Sequence, residues 1–435
     1  MAGIPSVEAN PSTSANGANL ENRFALISLT MLFFMWGFIT AMNDILIPHL
    51  KAVFSLSYTQ AMLVQFCFFT AYFLVSVPAG RIVSKWGYAS GMALGLGAAC
   101  LGCLMFVPSA NFATYWMFLL ALFVLAAGIT TLQVAANPLV TLLGSPETAS
   151  ARLNMTQAFN SLGTTVAPII GGIVIFGSMS EEVTSDNVDV GAVVVPYLVL
   201  AGVLALLAVY FKRIKLPASV SNNEEKQEAV IEQDSEKAPS IWQQPHLVLG
   251  AIGIFVYVGA EVSIGSFLIN YFGESNIAGL SEGQAAHYVA YYWGGAMVGR
   301  FIGAALMKYV AANKILIFNS IASVVLIATS IFSEGSVAMW TILLVGLCNS
   351  IMFPTIFSLA IAKLGPLTSQ GSGLLCLAIV GGAVVPLIQG VLADTIGIQL
   401  SFFLPLICYL YIGFYGVRGY VPGKVPSVNQ EQQHA

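Results

Sequence analysis

Twelve stretches of about 20 or more largely apolar residues follow one another along this chain, and about 20 apolar residues are what a helix needs to cross the hydrocarbon of a bilayer. They occupy residues 24–47, 59–83, 89–109, 114–143, 152–177, 191–211, 246–272, 283–309, 314–333, 337–364, 371–395 and 400–420. Of 435 residues, 57% are hydrophobic and only 8% charged. In water such a chain would expose large adhesive patches. The runs are too long and too uniformly apolar for barrel strands, which alternate over about 10 residues. The expected fold is therefore an all-α membrane protein of twelve transmembrane helices in two six-helix bundles.

Net charge is −4, and its distribution says more than its sum. Among Lys and Arg, only Lys51 falls on one side of the expected helices. Arg23, Arg81, Lys85, Arg152, Lys212, Arg213, Lys308, Lys314 and Lys363 gather on the other, with acids such as Glu181, Glu182 and Glu334 opposite them. The positive-inside rule then puts both termini in the cytoplasm. The first 22 residues are polar, with no basic region followed by an apolar core, so no cleaved signal peptide is expected. The expected domains are a disordered tail (1–22), a first bundle (23–211), a cytoplasmic linker (212–244), a second bundle (245–420) and a tail (421–435). The linker, with its NNEEKQEAVIEQDSEK segment, is too charged and too poor in aromatics to pack a core.

The two bundles repeat. Arg81 and Arg300, each after a Gly, lie 219 residues apart; Pro138 and Pro354 lie 216 apart; Pro168 and Pro386 lie 218 apart. Three motifs in order at nearly one offset point to a duplicated unit. The four prolines should bend their helices. Gly91, Gly95, Gly102, Gly171, Gly172, Gly381 and Gly382 mark close helix contacts. The six cysteines all lie inside apolar runs and are expected to act as small packing residues.

Two acids obey the same spacing. Asp44 lies in the first run and Glu261 in the seventh, 217 residues later. A carboxylate at membrane depth costs about 2.5–3.5 kcal/mol on insertion scales, so each should face a polar interior or a cavity. By default such acids mark an ion or solute pathway; a buried structural acid is the bland alternative.

Polar residues repeat at helical spacing in three runs of the first half: Trp36, Thr40, Asn43 and Asp44; Thr130, Gln133, Asn137 and Thr141; and Asn154, Gln157, Asn160, Ser161 and Thr164. Each set shares a helix face. Asn and Gln offer donor and acceptor together, which suits a ligand covered in hydroxyls. The same stripes would also serve as interhelical hydrogen bonding. The second half is more aromatic: Tyr257, Tyr288, Tyr291, Tyr292, Trp293, Phe353 and Phe357. Rings on one wall and amides on the other fit a pyranose, while core packing and an interfacial belt account equally for any single ring. No His-rich metal cluster or nucleophile–base pair suggests an enzyme, and no cofactor or nucleic-acid partner is expected.

Six plus six helices about a cytoplasmic loop is the architecture of the major facilitator superfamily. Gly80-Arg81-Ile-Val-Ser-Lys85-Trp86-Gly87 is similar to that superfamily's cytoplasmic signature, except that Gly80 stands where an acid is usual, which should weaken its charge latch. Asn43-Asp44-Ile-Leu-Ile-Pro48, Ala135-Ala136-Asn137-Pro138, Arg152-Leu-Asn154-Met-Thr-Gln157-Ala-Phe-Asn160-Ser161 and Phe353-Pro354-Thr-Ile-Phe-Ser358 resemble the fucose:proton symporter family. Tyr257-Val-Gly-Ala-Glu261 and Gly371–Gly382 resemble its glucose/galactose transporter branch.

The resemblance implies hexose uptake across a bacterial inner membrane, with Asp44 coupling to protons and Asn43, Gln157 and Asn160 touching sugar. It also implies that an acid of the fourth helix is replaced here by Gln133, while the seventh helix gains Glu261 as a second coupling acid. Partners expected are a small hexose, a proton (or a sodium ion) and the bilayer, with the chain a monomer. Fucose or N-acetylglucosamine as substrate, sodium coupling and proton-coupled drug or metabolite export stay open as alternatives.

Overall fold

The computed structural model describes residues 22–41, 54, 58–176, 194–214, 216–217, 220 and 240–422. Asn43, Asp44, most of the expected linker, residues 1–21 and the end of the C-terminal tail lie outside the described residues.

Among the described residues the chain is a succession of helices. These are α1 Asn22–Ala41, α2 58–86 and α3 88–111, α4 Tyr115–Leu142, α5 Ala149–Phe176 and α6 Val194–Arg213. The second half follows with α7 Pro245–Gly273, α8 Glu282–Leu306, α9 Ala312–Phe332, and α10 Gly335–Ala360, α11 Gly365–Ile396 and α12 Ile398–Gly419. The helical path through Tyr58–Asn111 turns at Gly87, whose φ of 78° and ψ of 168° lie in a region open to glycine and costly for other residues. That single residue makes two crossings of one long run. Among the described residues, nine helical stretches are long and apolar enough to cross a membrane, with Phe66–Asn111 of α2 and α3 counted as one and α5 and α8 not among them.

Large apolar side chains point outward all along the bundle, including Met31, Leu206, Phe318 and Phe332, each more than 60% exposed. Such a surface suits hydrocarbon as its solvent. Inside, small residues let helices approach closely. A Cβ on Gly95 would lie 2.6 Å from the Leu132 nitrogen of α4, and one on Gly102 would lie 2.5 Å from that of Leu125. Buried rings fill the wider gaps; Phe106 stacks on Tyr197 at 3.9 Å, joining α3 to α6.

The halves meet from the basic end to mid-depth: α2 and α4 pack on α11, and α5 packs on α8 and α10. At the basic end Gly80 and Gly373 bring α2 and α11 almost backbone to backbone. A Cβ on Gly80 would sit 3.0 Å from the Ser369 carbonyl oxygen, and one on Gly373 would sit 2.7 Å from that of Ser76. Any side chain at position 80 would have to push the α11 backbone back by a few tenths of an ångström, so this contact favours glycine over the signature acid. Ser150 and Ser358 share a hydrogen bond of 2.6 Å nearby.

Two prolines shape the interior. Pro138 in α4 has no N–H, so the carbonyl four residues back, at Val134, loses its helical partner. It accepts instead from the Ser372 hydroxyl of α11 at 2.8 Å. Pro354 frees the Ser350 carbonyl in the same way, and the helix breaks into a turn at Ser350-Ile351. That carbonyl accepts from Arg300 Nε of α8 at 3.0 Å. Both prolines thus export a backbone acceptor to another helix.

Candidate functional site

On the first half, α4 and α5 bring three predicted amides together. Gln133 and Gln157 are each 5% exposed and Asn137 is fully buried. Gln157 Nε2 donates to Asn137 Oδ1 at 3.4 Å. Gln133 Oε1 and Asn137 Nδ2 are buried without a partner. Leaving a buried polar atom unpaired costs about 1–3 kcal/mol, so one acceptor and one donor here are held ready for something else.

Asn160 is more committed. Its Nδ2 donates 2.9 Å to the Phe33 carbonyl of α1, an interhelical tie made possible by Gly37, whose missing side chain leaves room for Asn160.

Other members of the stripes do different work. Thr40, Thr130, Thr141 and Thr164 return their hydroxyls to carbonyls of their own helices, the usual alternative for a helical threonine. Asn154 donates to the Ser150 carbonyl of its own helix and to Thr355 Oγ1 in the other half, at 2.9 and 3.2 Å. It belongs to the closed basic end, so the expected single amide wall is shorter than its periodicity suggests.

The second half holds a saturated network. Asn349 donates from Nδ2 to the Tyr292 hydroxyl at 2.7 Å and accepts on Oδ1 from the Tyr409 hydroxyl at 2.6 Å. Tyr257 donates to the Asn349 carbonyl at 3.0 Å, and Tyr292 donates to the Glu261 carbonyl at 3.2 Å. Tyr257, Tyr292 and Tyr409 are wholly buried, so they present edges and hydroxyls rather than open faces. Trp293 is 45% exposed, less than Tyr291 at 60%; it stands edge-on to Tyr292 at 5.2 Å and is set against Gly265. Phe353 is nearly buried and pairs with Phe357 at 5.9 Å.

Glu261 sits at the edge of this network. Its side chain faces the Tyr257 hydroxyl and the Arg300 guanidinium, and its Oε1 is buried without a partner. Arg300 reaches both ways: Nε to the Ser350 carbonyl, and Nη1 to the Ser161 hydroxyl of α5 across the interface. The acid, the cation and the contact between halves are therefore contiguous.

Asn349 and Tyr409 were missed by sequence reasoning. Neither belongs to a polar stripe at helical spacing: Asn349 stands beside Ser350, and Tyr409 is one of several tyrosines in an apolar run. For Asn349 the available hint was its place five residues before a helix-breaking Pro354.

Among the described residues, twelve helices in two bundles, with apolar side chains on the outside and polar groups between the halves, define a multi-pass membrane protein. The chain belongs to the Major Facilitator Superfamily, whose family pattern matches residues 26–375. It is 57% identical over 410 residues to a glucose/galactose transporter of Brucella abortus biovar 1 (strain 9-941), covering 94% of this chain and 97% of that one. It is 33% identical over 404 residues to the L-fucose-proton symporter of Escherichia coli (strain K12), covering 89% and 91%. The crystal structure of the superfamily transporter FucP in the outward conformation superposes with a TM-score of 0.81 at 29% identity, over 91% of this chain and 99% of that one.

Proposed function

We propose that this chain imports a hexose, glucose or galactose in type, together with a proton across a bacterial inner membrane, acting as a monomer by alternating access with both termini cytoplasmic. The names of its relatives support the substrate class and the coupling ion, and the basic loops support the orientation. The bodies that rock are the bundles 23–211 and 245–420, about a site near the midplane. With the basic end cytoplasmic, the closed contacts of Gly80, Gly373, Ser150 and Ser358 seal the inner side.

Glu261 is the observation that carries this mechanism. It is an acid within an apolar span, with one oxygen unpartnered, beside the arginine that ties the halves together. Tyr257 has one hydroxyl hydrogen, and it is given to the Asn349 carbonyl. A hydrogen bond between Glu261 and Tyr257 then needs a proton on the carboxyl, or a swing of the tyrosine hydrogen away from Asn349. Arg300 divides its donors between the neighbourhood of Glu261 and the Ser161 tie. Charge on Glu261 and closure of the inner side are thereby linked, and linkage of this kind is reciprocal. Asp44 supplies the second coupling acid and Asn43 a further sugar contact. Gln133, Asn137, Gln157 and Asn160 offer the amides, and Trp293 and Phe353 the apolar surface.

The test is uptake of labelled glucose, galactose, fucose and N-acetylglucosamine into proteoliposomes under a proton or a sodium gradient. Glucose or galactose should accumulate with the proton gradient alone. Glu261→Gln should abolish that accumulation while leaving sugar counterflow. Gln157→Ala should raise KM about tenfold, about 1.4 kcal/mol, with a smaller change in kcat. Normal accumulation by Glu261→Gln would remove this acid from the coupling; accumulation driven only by sodium would replace the ion.

A further inference from the structure

Outside the polar site, a crevice of about 320 Å³ opens between α8, α9 and α10. Gly299, Ile302, Gly303 and Leu306 line it from α8 at i, i+3, i+4 and i+7, a single stripe on that helix. Phe318 of α9 and Leu347 of α10 complete its sides, and both are exposed on the outer surface, at 71% and 39%. The crevice therefore faces hydrocarbon rather than the space between the halves. From Gly299 to Leu306 it follows about 10 Å of helix, roughly two-thirds of one leaflet of a hydrocarbon core about 30 Å thick.

Its mouth is chemically different from its walls. Lys314 lines the crevice at the start of α9. Lys308 and Tyr309 stand exposed on the turn just before it, Tyr309 at 88%. An exposed tyrosine beside two lysines is the composition of a headgroup layer, and basic side chains there attract anionic lipid. The inner end of the crevice touches Gly299 and Ser350, the residue before Arg300 and the one whose carbonyl Arg300 holds.

We propose that this crevice is a binding site for one phospholipid with an anionic headgroup: an acyl chain lies along the α8 stripe and the headgroup meets Lys314. The length of the groove, its apolar walls and its single cationic mouth each select for that occupant. A seated chain fills the space behind the α8–α10 contact and so backs the helix segment that presents Arg300.

The experiment is native mass spectrometry of the full chain during graded delipidation, with phosphatidylglycerol and phosphatidylethanolamine of matched chains as the added lipids. Wild type should retain one phosphatidylglycerol about fivefold better than phosphatidylethanolamine, the factor expected of one lysine at the headgroup. Lys314→Gln, a change at an exposed position, should erase that preference. Leu347→Trp, which fills the crevice from its lipid-facing side, should reduce retention of both lipids. Equal retention of the two lipids by wild type overturns the proposal. So does loss in Lys314→Gln with full retention in Leu347→Trp, because that pattern describes a headgroup contact without a seated chain. Loss in Leu347→Trp alone overturns the assignment of an anionic headgroup.

Discussion

Gly80-Arg81 and Gly299-Arg300 are copies of one motif in the two halves, yet they have opposite fates. Arg81 is exposed at the basic end, while Arg300 is half-buried against α5 and α10. The difference follows from the two proline-freed carbonyls. In the first half the Val134 acceptor is filled by Ser372 from the opposite bundle, so nothing draws Arg81 inward. In the second half the Ser350 acceptor is filled by Arg300 itself, which brings a permanent positive charge next to Glu261 and Ser161. Duplication kept the backbone device and changed its donor. One copy fastens the basic end; the other houses the cation beside the buried carboxyl of Glu261.

Removing the cation should separate the copies most. Arg300→Ala should lower proton-driven uptake about 100-fold, about 2.8 kcal/mol, whereas Arg81→Ala should change it less than about twofold, as expected for an exposed charge. Equal losses in the two variants would erase the distinction. Pro354→Ala restores an N–H to the helix and offers the Ser350 carbonyl its own partner back. Uptake should fall about tenfold, and hydrogen exchange should find the new amide of residue 354 protected. The smallest effect is expected for Ser372→Ala, which removes one hydroxyl from the first-half carbonyl. At about 0.6 kcal/mol for an average bond of this kind, the closed basic end should lose less than about threefold in population, read by thiol labelling of a cysteine placed at that end.

The spans were largely legible in the sequence, because the thickness of hydrocarbon imposes a length on every one. Residues 246–272 were expected and Pro245–Gly273 is observed; 114–143 were expected and Tyr115–Leu142 is observed. The faces carrying Gln133, Asn137 and Gln157 were legible for the same reason, since periodicity reports which way a side chain points. It does not report what that side chain bonds to. The threonines of the stripes turned back on their own helices, and Asn154 joined the basic-end contacts. The Asn349–Tyr409 pair was invisible, because it joins single positions 60 residues apart on different helices. Gly80 departs from a signature in the sequence, and the structure adds the close approach of the Ser369 carbonyl, which favours a residue without a side chain there.

The paired prolines also constrain how the molecule can move. When the basic end parts, Ser372 leaves Val134 and Ser161 leaves Arg300, and no amide hydrogen exists at position 138 to take back the bared oxygen. Water must arrive as the bundles separate. Opening of the basic end in this carrier is therefore a hydration event as much as a rotation, and its rate should be set by how readily the parting seam wets.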